Sequence, residues 1–137
     1  MKAHKTLERH AARSIRSIDL CLSDFMVLEL LLHKGPQKVN DIGRRIELTS
    51  GSISTAVDRL EQRQLVTRSF EKEDRRARVV RLTPRGKSRI SAVFATHTLA
   101  MEDAAQGLTK SERTTLVHLM KKLGTSAEVR LKEMRDD

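Results

Sequence analysis

The side chains with the most chemistry to offer fall into two sets. One is a run of small hydrogen-bonding residues, Ser50, Gly51, Ser52, Ser54 and Thr55, followed by Asp58 and Arg59. The other is basic, with Arg44 and Arg45 upstream and Arg75, Arg76 and Arg78 downstream beside Asp74. Short hydroxyls can approach base edges and phosphates closely, whereas guanidinium groups pair with phosphate oxygens and with guanine. Both sets suit recognition of duplex DNA. Asp58 is the awkward member, because phosphate repels a carboxylate unless it accepts from a cytosine amino group or an arginine neutralises it. Pairing with Arg59 or Arg63 is expected.

Two short helices and a hairpin are needed to position these groups. Val39, Ile42 and Ile46 are spaced for a helix from Val39 to about Ile46, which turns Asp41, Arg44 and Arg45 outward. Thr49-Ser50-Gly51-Ser52 is rich in capping residues and opens a second helix with Ile53, Val57 and Leu60 facing inward. Its opposite face carries Gly51, Thr55, Asp58 and Gln62, flanked by Ser54 and Arg59. That face fits a helix laid in the major groove, with Arg59 reaching a guanine or a phosphate; taken alone it also fits an ordinary solvated surface. Leu65–Phe70 and Arg78–Leu82 then alternate as strands, with Val66, Phe70, Val80 and Leu82 expected inward. The charged turn between them, residues 71–76, has no Gly or Asn at its apex, which predicts a loop longer than two residues. A helix-turn-helix followed by a basic hairpin is a winged helix, and the hairpin can track the phosphate backbone or place an arginine in the minor groove.

The whole chain agrees with a polyanionic partner. Its 137 residues suffice for one domain, and 27 Lys+Arg against 18 Asp+Glu leave a net charge of +9. No stretch approaches the roughly 20 consecutive apolar residues of a membrane span, and the N-terminal segment lacks the apolar core of a signal peptide. The one cysteine, Cys21, rules out an internal disulfide framework and is compatible with a reducing cytoplasm. Neither a His-Glu-x-x-His metal motif, nor a P-loop, a Gly-x-Ser-x-Gly elbow or a glycine-rich dinucleotide fingerprint is present, so the reading is of a protein that is not an enzyme and needs no cofactor. Cys21, His33 and His97 could converge near a helix junction, but none has paired ligand spacing and no metal is assigned.

The flanking segments read as helices. Leu7, Ala11, Ile15 and Ile18 form an apolar stripe on a basic helix over residues 3 to about 20. Ser23 is a candidate N-cap for a helix to about Lys34 that is apolar nearly all round and therefore central to the core, ended by Gly35-Pro36. Thr83-Pro84 opens a long helix to about Gln106, and Thr109-x-x-Glu112 is a capping box for a last helix striped by Leu116, Leu119, Met120 and Leu123. Gly124 interrupts that stripe, leaving one bent helix or two. The terminal helices carry more apolar surface than one small lobe can bury, which points to a twofold homodimer reading an inverted repeat with half-sites about one DNA turn apart.

The run Asp74-Arg75-Arg76-Ala77-Arg78-Val79-Val80-Arg81-Leu82-Thr83-Pro84-Arg85-Gly86 resembles the wing of the MarR family of bacterial transcription regulators. Leu22-Ser23-Asp24-Phe25, Ser50-Gly51-Ser52-Ile53-Ser54 and Leu60-Glu61-Gln62-Arg63-Gln64-Leu65-Val66 are similar to that family in order and spacing. The resemblance implies a mainly α fold with a small β-hairpin wing: a winged helix-turn-helix lobe over residues 22–104, including its long linking helix, with dimerisation helices at 1–20 and 107–137. It further implies a cytoplasmic, nucleoid-associated repressor of a pseudo-palindromic operator, with Arg76 in the minor groove held by Asp74. A small-molecule effector between lobe and dimer helices is the family's common theme; the alternatives are a redox-responsive regulator with Cys21 as the candidate residue and a metal-responsive one using Cys21, His33 and His97. A basic protein that binds DNA without reading sequence is the competing class.

Overall fold

The structure, a computed structural model, describes residues 2–70 and 77–136. In chain order these form α1 (Lys2–Arg16), α2 (Leu22–Lys34), β1 (Gln37–Lys38), α3 (Val39–Arg45), α4 (Ser50–Gln62), β2 (Val66–Phe70), β3 (Arg78–Leu82), α5 (Pro84–Ala104) and α6 (Lys110–Asp136). The chain divides into two compact units, residues 1–101 and 102–137. α1, assigned from the sequence to the dimerisation helices, falls in the first unit together with the lobe.

The first unit is built around α2, whose Phe25, Val27, Leu28 and Leu31 are buried, as a helix apolar on nearly every side requires. Ile42 of α3, the stripe Ile53, Ala56, Val57 and Leu60 of α4, Ile90 and Val93 of α5, and Val66 and Val80 of the sheet close around it. α1 adds Ile15, while Leu7, about two turns closer to the N-terminus, is 42% exposed. The strand order is β1-β3-β2, all antiparallel. β1, only two residues long and not expected from the sequence, pairs Gln37 with Val80 and Lys38 with Val79. In the hairpin Val66 faces Leu82 and Phe70 faces Arg78. Phe70 was expected inside, but it lies beyond the end of the core and is 63% exposed, with the Arg78 guanidinium 5.5 Å over its ring.

Local chemistry sets the boundaries. The Thr49 side chain accepts from Ser52 N–H and caps α4. Thr83 caps α5 by accepting from Gly86 N–H at 2.9 Å, while its own N–H donates to Leu65 O. α5 starts hard against that carbonyl: a Cβ on Gly86 would lie 1.8 Å from Leu65 O, so only glycine permits the approach. Gly35 ends α2 at φ 73°, donating to Leu31 O. Ser23 is not the cap of α2. The helix starts one residue earlier, at Leu22, and the Ser23 hydroxyl is engaged by Arg59.

The second unit is dominated by α6, a single continuous helix through Gly124. The capping box at its start forms as expected: Thr109 N–H donates to Glu112 Oε2 at 2.7 Å and Glu112 N–H to Thr109 Oγ1 at 3.3 Å. These bonds hold the Glu112 carboxyl below the usual carboxylate range, chiefly through the Thr109 backbone N–H. Leu116, Leu119, Met120, Leu123, Leu131 and Met134 lie along one side of α6 and are exposed. Among the described residues no helix is long and apolar enough to cross a membrane.

Candidate nucleic-acid interface

α3 and α4 form the helix-turn-helix, joined through Glu47, a left-handed residue at φ 56°, and tightly packed at Gly43, where a Cβ would meet Leu48 O at 3.3 Å. Burial of Ile53, Ala56, Val57 and Leu60 leaves Ser50, Gly51, Ser52, Ser54, Thr55 and Asp58 exposed on the other side of α4. The hydroxyl bonds are local: Thr55 Oγ1 donates to Gly51 O at 2.9 Å, and Thr49 Oγ1 donates to Ser52 Oγ at 2.9 Å. Ser50 and Ser54 have no side-chain hydrogen bond among the described residues. The first two turns of α4 thus present short polar groups that the protein does not otherwise need.

The basic groups divide. Arg44 and Arg45 are exposed on α3, Arg44 in an ion pair with Asp41. Arg44 lines a groove of about 540 Å³ together with Lys38, Asn40, Asp41, Ser54, Arg68 and Arg78, so the wing base, α3 and the start of α4 share one recess in which four cationic side chains face one carboxylate. Asp74, Arg75 and Arg76, including the arginine expected in the minor groove, lie outside the described residues.

Arg59 departs from expectation. Instead of reaching toward DNA it folds back to Asp24, a carboxylate only 1% exposed on α2, with Nε 3.0 and 2.9 Å from the two carboxylate oxygens. Its Nη2 also donates to Cys21 Sγ at 3.1 Å and Ser23 Oγ at 3.2 Å. Hydrogen bonding to Asp24 raises the Arg59 pKa further, outweighing the opposing effect of burial. The physical reason is the unpaired charge that Asp24 would otherwise leave in the core.

Asp58 is paired, as expected, but with neither Arg59 nor Arg63. Arg68 of β2 reaches it at 2.7 Å and also holds Glu61, with Nε 3.0 Å from Glu61 Oε2. The Arg68 backbone N–H donates to Glu61 Oε1 at 3.1 Å. The sequence reading missed Arg68; the signal available was an arginine on a strand following two carboxylates of a helix. It neutralises both acidic groups of α4 and joins the wing to that helix.

Cys21, His33 and His97 each have other partners. His97 shares a 2.6 Å hydrogen bond with Ser14 Oγ and sits edge-on to Phe25, His33 packs on Phe94, and Cys21 faces Arg59. No cluster of three or more potential metal ligands occurs among the described residues. Burial lowers the His97 pKa, only partly opposed by Glu29.

An exposed small-residue helix face, a neutralising strand arginine and a basic wing base define a winged helix-turn-helix. Residues 20–77 match the model of the MarR family. The chain is 32% identical over 127 residues to the HTH-type transcriptional regulator MhqR of Bacillus subtilis, covering 93% of this chain and 88% of MhqR. The chain belongs to the MarR family and is a transcriptional regulator, not an enzyme. It is also 31% identical to the HTH-type transcriptional repressor MdtR of B. subtilis, over 77% of this chain and 68% of MdtR. A mutant MarR from E. coli, solved in complex with operator DNA, shares the fold with a TM-score of 0.78 at 20% identity, covering 89% of this chain and 88% of that one.

Proposed function

We propose that the protein is a homodimeric repressor of an inverted-repeat operator, acting in the cytoplasm at the nucleoid. The first turns of α4 enter the major groove, the wing arginine Arg76 lies in the minor groove with Asp74 beside it, and Arg75, Arg78, Arg44 and Arg45 hold phosphates. The observation that carries this reading is the groove where Arg44, Ser54 and Arg78 converge beside exposed, unengaged hydroxyls. Lobe residues 22–104 do the reading, and residues 1–20 and 107–137 form the dimer frame. The exposed apolar side of α6 supports this assignment, because a second copy of it is a matched cover. Repression fits the named role of MdtR, and operator DNA is what the E. coli MarR complex holds.

Release by a small-molecule effector completes the reading, and such a molecule must bind the low-affinity state of the dimer better to act. A second reading, release by oxidation of Cys21, is favoured by one contact: its Sγ lies against the arginine that fixes α4 to α2. Loss of operator binding under peroxide in the wild type but not in Cys21→Ser would support it. The principal test is selection of bound sequences from a random duplex pool at near-physiological salt. An inverted repeat is expected. Recovery of DNA without a symmetric motif would replace this reading with non-specific binding.

A further inference from the structure

The turn between α1 and α2 is held from two sides by arginines that the DNA-binding account does not use. From the C-cap of α4, Arg63 donates through Nη1 and Nη2 to Asp19 O, each at 3.2 Å, and through Nη2 to Asp19 Oδ2 at 3.3 Å. From α5, Arg89 Nη2 donates to Ile18 O at 2.6 Å. α1 ends at Arg16 and Asp19 sits at φ 57°, so the Ile18 and Asp19 carbonyls lie in the turn just past the helix C-terminus, outside its hydrogen-bonding ladder. Guanidinium groups suit that position twice over, as donors to turn carbonyls and as cations near the negative end of the helix dipole.

The connectivity gives these contacts a consequence. Arg63 is four residues after Arg59, on the same flank of α4 and one turn beyond it, so the C-terminal half of α4 is fixed to both α2 and the end of α1. Arg89 fixes α5 to the same turn. A rotation of α1 therefore cannot leave α4 behind without breaking charge-assisted bonds.

We propose that Arg63 and Arg89 are positioning residues: they fix the recognition helix relative to α1, and so set the half-site spacing the dimer accepts, without touching DNA. This rests on the dimeric operator reading above. An arginine on a recognition helix has an obvious rival role as a phosphate contact, and the two roles separate in solution. A phosphate contact contributes about one unit per subunit to the slope of log affinity against log salt, and acts on every duplex alike. A positioning residue changes neither.

The test is pool selection with the full-length wild type, Arg63→Ala, Arg63→Lys and Arg89→Ala, followed by affinity and salt-slope measurements on the wild-type operator. Expected for Arg63→Ala and Arg89→Ala are unchanged half-site bases, a broadened spread of half-site spacings, an unchanged salt slope and about tenfold weaker operator binding, within the usual range of coupling energies. Arg63→Lys keeps the charge but cannot reproduce the forked contact, so it should resemble the alanine variant. Three results would overturn the proposal: a reduced salt slope, full rescue by lysine, or unaltered spacing with only a lower melting temperature. Should Arg63→Ala not fold, Arg89→Ala and Arg63→Lys decide the question by the same criteria. If the wild type itself selects no inverted repeat, the dimeric reading fails and the positioning role falls with it. An inverted repeat read with the same spacing by all variants defeats the positioning role alone.

Discussion

The two halves of α4 are chemically opposite. Its first turns carry exposed Ser50, Ser52, Ser54 and Thr55, whose bonds among the described residues stay within the cap and the helix. Its later turns and C-cap carry Arg59 and Arg63, both engaged by the protein, and Asp58 and Glu61, both engaged by Arg68. The charged half anchors the helix to the rest of the protein. On the reading proposed above, the neutral half is the one left for bases. The same proposal draws the attraction to phosphates from outside α4, from exposed Arg44, Arg45 and Arg78.

The comparison can be broken most severely at Arg59. Arg59→Ala leaves Asp24, at 1% exposure, without its cation, and should destabilise the fold by about 3 kcal/mol in urea unfolding. That is the low end of the range for buried pairs, because the Arg59 side chain is itself 40% exposed. A change within about 0.5 kcal/mol would mean that the anchoring half is not anchored. The double change Ser54→Ala with Thr55→Ala should do the reverse, leaving unfolding within about 0.5 kcal/mol of wild type while costing operator affinity about tenfold.

Arg68→Ala exposes Asp58 and Glu61 to the phosphates and should weaken binding to all duplexes, with a stability loss of only about 1 kcal/mol since both carboxylates are partly exposed. Arg78→Ala should lower the salt slope by about one per subunit with little effect on base preference. The smallest effect is expected at His97, whose partners Ser14 and Phe25 belong to α1 and α2. Its pKa is lowered in the fold by burial, so the unfolded chain binds a proton first. Its contribution is complete above the unfolded value of about 6.5 and is lost as pH falls from there toward the folded value. A His97→Asn variant should lack that part of the pH dependence of unfolding.

Much of the lobe was legible because local patterns and the core agreed. The all-round apolar α2, the Thr49, Thr83 and Thr109 caps, and the alternation of Val66 and Val80 are each where their chemistry requires. What stayed hidden depended on distant partners. β1 exists only through its pairing with β3, and two residues carry no periodicity. Phe70 has the inward parity of its strand, but parity does not say where the core ends. A helical wheel places Arg59 on a flank; it cannot show that a buried carboxylate waits on α2. The left-handed turns at Asp19, Glu47 and Gln64 carry no glycine to announce them.

Backbone amide shifts of the protein on addition of its selected duplex test the division of α4 most directly. The account predicts large changes from Ser50 to Thr55 and at Arg78, with small ones from Arg59 to Arg63. Large changes centred on Arg59 and Arg63, with the first turns unaffected, would contradict it.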